Sequence, residues 1–318
     1  FRIAFLSGQA MIEVEEDISA ARSRGHLSSV CLSIADIRIL LASDDPRMGL
    51  AIDGATRLFM VEEAEPLDAR VRTRWGELEG HAAGELLFDS GALWKLYRDA
   101  GGYEWRFNTP FLGERPYKIA RFNHDFTDGE VLLHRPYFET ALAVYPLEYP
   151  LDELLLLNLL ARGRGVELHS CGVEDESGDG YLFVGQSGAG KTTMSRLWEK
   201  MPGVLIPSDD RIVLRIQDEG LRMYGTPWHG EAELSRPLST PLKQLFFLRH
   251  GERNYLADIS GAEAAARLFA CSFPTYYDPA GLDFTLAFFE RVTKAIPCRE
   301  LTFIPDENVV EFIRRHAT

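Results

Sequence analysis

Eight consecutive residues, Gly185-Gln186-Ser187-Gly188-Ala189-Gly190-Lys191-Thr192, constrain this chain more than any other stretch. The three glycines let the backbone curl until its N–H groups converge on one point. The pattern is G-x-x-x-x-G-K-[ST], which cradles phosphate when it follows a strand and opens a helix. Tyr181-Leu182-Phe183-Val184 just before it is a compact apolar run that reads as a strand, and residues 191–200 read as a helix. In that setting Lys191 reaches the β- and γ-phosphates, the Thr192 hydroxyl ligates Mg²⁺, and the positive end of the helix adds to the field. ATP with Mg²⁺ is the expected ligand, held by residues 185–192 together with Thr193.

The rest of the composition narrows the partners. At 318 residues the chain has room for two modest domains, and 46% hydrophobic with 26% charged residues is ordinary for a globular protein. A formal net charge of −14 argues against nucleic acid, whose phosphates need clustered Lys and Arg. Cys31, Cys171, Cys271 and Cys298 are scattered without zinc spacing, the pattern of reduced, buried thiols in a cytoplasmic protein. No charged-then-apolar signal segment opens the sequence, and it starts at Phe1 rather than Met, so residues upstream are expected. The richest apolar run, 151–160, is interrupted by Asp152, Glu153 and Asn158 and is too short to span a bilayer, so no membrane contact is expected.

Residues 1–145 read as a β-rich N-terminal domain. Short apolar runs at 86–88, 93–98, 103–107, 117–122 and 131–135 are separated by turn residues such as Asp89-Ser90-Gly91 and Asp99-Ala100-Gly101-Gly102. Tyr103, Trp105 and Phe107 alternate with Glu104 and Arg106, which predicts an antiparallel meander. The composition shifts at Tyr145-Pro146 and Tyr149-Pro150, where a second domain, 146–318, begins. Residues 151–162 read as a helix with acids in the first turn, and strand and helix then alternate in an α/β pattern. Ser260 with Glu263 caps a helix over 264–269, and Asp306 caps a last one ending in Arg314-Arg315-His316.

Close behind the glycine-rich loop, Val204-Leu205-Ile206-Pro207-Ser208-Asp209-Asp210 is an apolar strand ending in two carboxylates. Adjacent acids can divide the work between a base for an attacking hydroxyl and a metal or water partner. His169 lies on the strand before Tyr181. Gly225-Thr226-Pro227-Trp228-His229-Gly230-Glu231 reads as a mobile loop over a ligand, with Trp228 offering an apolar face to a peptide.

Taken in order, the His upstream, the G-x-S-G-x-G-K-[ST] loop, the Asp-Asp strand end and the Gly-Thr-Pro segment resemble the HPr kinase/phosphorylase family, over roughly residues 150–318. The resemblance implies an α/β fold of the phosphoenolpyruvate-carboxykinase type, an HPr-kinase-type P-loop domain behind the β-rich one. It implies γ-phosphoryl transfer from ATP to a serine hydroxyl. By the same resemblance Lys191 binds phosphate, Thr192 and Asp209 hold Mg²⁺, Asp210 is the base, and His169 fills the position of the active-site His. Glu231 stands for the family's metal-binding Glu and Arg236 for its Arg. Thr192-Thr193 stands where the family has Ser-Glu, and no stretch resembles its HPr-docking signature. The acceptor therefore stays open between a peptide, a small protein and a small-molecule hydroxyl, with residues 1–145 as its dock. The family's own assembly is a homo-oligomer, a hexamer. A nucleotide-binding sensor or scaffold is the alternative from another class, and the Asp pair favours the kinase.

Overall fold

A computed structural model describes residues 27–78, 84–91, 93–113, 115–138 and 143–316. Residues 1–26 of the expected N-terminal domain lie outside the described residues. The fold is mixed α/β, with two large sheets and few helices.

The first sheet has nine strands. They are β1 (Ser29–Ile34), β2 (Ile37–Ser43), β4 (Met60–Val61), β5 (Ala69–Gly76), β6 (Glu85–Asp89), β7 (Trp94–Asp99), β8 (Gly102–Asn108), β9 (Pro116–Phe122) and β10 (Asp128–His134), while β3 (Gly49–Leu50) pairs separately with β11 (Ala143–Val144). The spatial order is β4-β1-β2-β5-β10-β9-β8-β7-β6. From β6 to β10 every neighbour is antiparallel, the meander expected from the alternation. The sheet as a whole is mixed, because β5 runs parallel to both β2 and β10. Parallel neighbours need crossovers, which period-2 patterning does not reveal. Val30, Leu32, Leu41, Val71, Trp105, Phe107, Ala120 and Val131 turn one face of this sheet into a core.

Helix α1 (Leu151–Leu160) closes that core. Leu151, Leu154, Leu155, Leu156, Leu159 and Leu160 all belong to the same buried cluster, as do Val213 and Tyr224 from the second half of the chain. Even its first-turn acids are covered, Asp152 at 3% and Glu153 at 7% exposure. A helix apolar all round has no face to give to water, so it lies between layers.

The second sheet is built on two long strands, β12 (Val166–Glu174) and β17 (Ser239–His250). Between them in sequence come β13 (Gly180–Val184), β14 (Leu205–Ser208), β15 (Arg211–Gln217) and β16 (Gly220–Gly225), with β18 (Tyr255–Asp258) and β19 (Cys298–Phe303) beyond. β12 pairs β13 on one side and, on its other, β15 with its first half and β14 with its second. Parallel pairing of β13 with β17 joins the ends of the path β13-β12-β15-β16-β17 into a ring. Side chains alternate between two cores: Leu182, Val184, Leu245 and Phe247 meet helices α3 (Gly261–Ala270) and α4 (Pro279–Ala295). Tyr181, Phe183 and Phe246 meet α2 (Lys191–Glu199) and α5 (Asn308–His316). That burial on both faces explains the unbroken apolar run before the glycine loop. Among the described residues, no helix is long and apolar enough to cross a membrane.

Because α1 completes the first core from the second half of the chain, a small cavity there weakens both halves. Leu155→Ala is expected to cost ~2–5 kcal/mol and to lower a single urea transition of the whole protein. Two separate transitions, only one of them shifted, would contradict this joint.

Candidate functional site

The glycine-rich loop lies where β13 leaves the sheet. Gly188 and Gly190 adopt φ of 82° and 103°, the left-handed region that side-chain-bearing residues avoid. A Cβ at Gly190 would sit 2.7 Å from the Phe303 ring, and one at Gly185 would sit 2.5 Å from the Ala189 Cβ. His250 closes the outer side, with Nε2 3.1 Å from the Gly188 carbonyl. The loop then enters α2 at Lys191 with no side chain capping the helix, so its first-turn N–H groups suit an anion. Gln186 and Ser187 are exposed, and Thr192 and Thr193 half-buried. Lys191 Nζ donates to the carbonyls of Gly185 at 2.8 Å and Gln186 at 3.3 Å. Burial pulls its pKa down while the Asp210 charge opposes. Its neighbours include Cys171 and Cys271, whose thiols burial pushes up. All four cysteines are free, three of them buried and Cys298 partly so.

The two aspartates occupy a two-residue link between β14 and β15, both of which lie along β12. The two form a bend, and their side chains find different partners. Asp209 is 1% exposed, and its oxygens accept from the Gly230 and Ala232 N–H groups, each at 2.9 Å. It therefore fastens the segment 226–236. Thr226 Oγ1 donates to the Arg211 carbonyl at 2.8 Å, Ser235 Oγ to the Thr226 carbonyl at 2.7 Å, and the Arg236 N–H to the Pro207 carbonyl at 2.8 Å. So close is this approach that a Cβ at Gly225 would overlap the Arg236 carbonyl oxygen at 2.0 Å. The expected mobile loop is thus tied to β14 and β15 through main-chain bonds. Trp228 also differs from expectation: it packs against the core around α1, with its indole N–H buried. Glu231 and Arg236 are exposed on this segment, where the Glu231 carbonyl accepts from Arg196 at 3.5 Å.

Asp210 faces a different set. His169 Nε2 lies 2.8 Å from its Oδ1, and Arg211 Nη1 donates to its Oδ2. Burial works to raise this carboxyl, but the His169 hydrogen bond and the Arg211, His169 and Lys191 charges outweigh it and hold it below the usual carboxylate range. His169 is fixed by its own main chain, whose N–H donates to the Cys271 carbonyl at 2.7 Å. The structure thus brings His169, Lys191 and Asp210 into one charged neighbourhood, with Asp209 at its back.

Four residues of this neighbourhood were not among the expected site residues. Arg211 Nε donates to Glu153 Oε1 at 3.0 Å, so a helix acid taken for a dipole partner is a site residue. Phe273 lies under the Arg211 guanidinium at 4.4 Å and edge-on to His169 at 6.4 Å. Glu167, 1% exposed, has both carboxylate oxygens buried without a hydrogen-bond partner. Burial, then the Glu153 charge, raises its pKa well above the usual range. The Asp-Asp-Arg run was the one sequence signal for Arg211, while Phe273 and Glu153 gave none.

The cradle fits a phosphate chain: two left-handed glycines, an uncapped helix start and a buried ammonium surround one spot. The fit to a metal is narrower. Among the described residues no three His, Cys, Asp or Glu side chains converge as a metal site. Of the expected ligands, Thr192 lies at the start of α2 beside the loop, Asp209 is taken up by the 226–236 segment and Glu231 is exposed on that segment; Mg²⁺ itself takes most of its ligands from phosphates and water. No protein-family model matches the chain, and no curated protein matches it either.

Asp152, beside Glu153, gives this region a pH signature. Burial raises its carboxyl to about 7, with the Glu153 N–H and Lys118 pulling the other way. Unfolded, the group titrates near 3.9, so between those values the folded protein holds a proton that the unfolded chain has lost. The resulting stability, on the order of 4 kcal/mol, is present below about pH 4 and lost as pH rises through about 7. Urea midpoints of wild type and Asp152→Asn should show the variant gaining on wild type between about pH 4 and about 7. A constant gap would contradict the assignment.

Proposed function

We propose that the chain is an HPr-kinase-type kinase that transfers the γ-phosphoryl group of ATP, with Mg²⁺, to a hydroxyl, foremost a serine of a peptide or small protein. The mixed sheet built on β12 and β17 is read here as a P-loop domain of the phosphoenolpyruvate-carboxykinase kind. The observation that carries the reading is the convergence of a phosphate cradle on a paired, ionised carboxylate: Lys191 at the loop, Asp210 beside it, His169 2.8 Å from Asp210. A protein that only sensed nucleotide would have no use for that carboxylate.

Phosphoryl transfer asks mainly for positioning and for neutralised charge. The loop N–H groups and Lys191 hold the phosphates, and the acceptor hydroxyl lies in line on the Asp210 side. As its oxygen bonds to phosphorus, the bridging P–O bond breaks, its electron pair leaves with ADP, and the hydroxyl proton passes to Asp210. A carboxylate held this acidic takes the proton late, which suits a loose transition state. When bound, Mg²⁺ neutralises charge on the β- and γ-phosphate oxygens, with Thr192 its protein ligand. His169 orients Asp210.

ATP with Mg²⁺ at ~100 Kd should add ~2.7 kcal/mol of thermal stability, and Lys191→Ala should largely remove the gain. Absence of any shift with ATP would sink the nucleotide assignment.

Asp210→Asn keeps shape but loses basicity, so it should bind ATP normally while radiolabel transfer falls ~10²-fold or more. The acceptors to offer are products of neighbouring genes, peptides and free amino acids. Thermal shift with no transfer to any of them would favour a sensor.

A further inference from the structure

Asp210 is the outer end of a row of charged groups that reaches across to the other half of the molecule. Its Oδ2 accepts from Arg211 Nη1, and Arg211 Nε donates at 3.0 Å to Glu153 Oε1. The guanidinium rests 4.4 Å above the Phe273 ring, and that ring stands edge-on to His169, the other partner of Asp210. Arg211 is therefore fixed on three sides, by a carboxylate behind, a carboxylate ahead and an aromatic face below. A guanidinium is a rigid planar fork, so fixing Nε also fixes the direction of Nη1. Glu153 in turn is 7% exposed and cannot swing, since it sits in the first turn of α1 among leucines buried with β1, β2, β8 and β10.

Arg211 sits among several acids. Asp152, Glu153, Glu167 and Asp210 all act on one another or on Arg211 in this buried region. Glu167 has no hydrogen-bond partner of its own. Arg211 thus gives its bonds to Glu153 and Asp210 and leaves the third acid without one. That selection marks the Glu153–Arg211–Asp210 line as the organised one.

We propose that Arg211 is a positioning residue that aims Asp210, anchored through Glu153 to the N-terminal core, so that α1 transmits the state of the first sheet to the acceptor side of the site. This rests on the kinase reading for its catalytic consequence, while the mechanical link stands on the ion pairs. The β-rich half then acts on catalysis from behind the carboxylate, in addition to any docking of acceptor.

The experiment uses the full chain and two readouts. In steady-state transfer, Arg211→Gln should lower kcat at least tenfold and leave KM for ATP within about twofold, because the phosphate cradle is untouched. Arg211→Lys should recover part of kcat but not all, since an ammonium cannot bridge both acids in a fixed direction. Glu153→Gln should lower kcat by a smaller factor, and adding it to Arg211→Gln should cost nothing more. A generally loosened site would instead raise KM and lower kcat together, with no rescue by Lys, and would overturn the proposal. The second readout needs no activity. Glu153→Gln and Asp210→Asn, which share no bond, should change the unfolding equilibrium constant non-additively by about threefold or more. That coupling should vanish when Arg211 is also Gln. Additive effects would refute the link. If the wild-type protein transfers phosphate to no acceptor, the kinase reading fails, and this stability cycle decides the Glu153–Arg211–Asp210 link alone.

Discussion

The burial of helix α1 on every side is the constraint from which the rest of the structure follows. Seven leucines in ten residues, six of them in the buried cluster, cannot be left in water, and the nine-stranded sheet needs a cover for its apolar face. Joining the two satisfies both, and Val213 and Tyr224 complete the same core from the second sheet. At ~25 cal/mol per Å² of apolar surface removed from water, a helix of this kind outweighs any single polar contact across the joint. Its position is therefore settled by packing, and its first-turn acids are carried into a place where acids would not otherwise be tolerated.

The polar site is arranged around that imposition. A buried carboxylate needs a partner, and each of those nearest the loop that has one uses a different kind. Asp209 takes two main-chain N–H groups, Asp210 takes His169 and Arg211, and Glu153 takes Arg211 from the other side. The Glu167 carboxylate has none, and burial pushes its pKa up. Adjacent in sequence, Asp209 and Asp210 end up with unrelated tasks: one fastens a loop, the other remains beside Lys191.

The glycine loop shows how tightly shape and chemistry are tied. Gly190 is glycine because its φ is 103° and because Phe303 fills the space a Cβ would take. Lys191, 6% exposed, rests on the loop's own carbonyls.

Much of this was legible in the sequence, for a local reason. A strand–loop–helix unit, a capping box at Ser260, a cap at Asp306 and the hairpin repeats over 85–134 depend on residues a few positions apart. Period and turn chemistry act at that range. The pairing of His169 with Asp210 needed a strand to return beside another, and its place in the motif order gave it away. What the sequence could not supply was the parallel placement of β5, the turning of Trp228 into the core, and the union of Glu153, Arg211 and Phe273. These residues lie 58 and 62 positions apart along the chain, and no local preference links them. The sequence by itself determined a glycine-rich turn between a strand and a helix, with two adjacent carboxylates following it. Only the tertiary structure decided which carboxylate meets His169 and Arg211 and which fastens the loop, because that depends on where two sheets meet one helix.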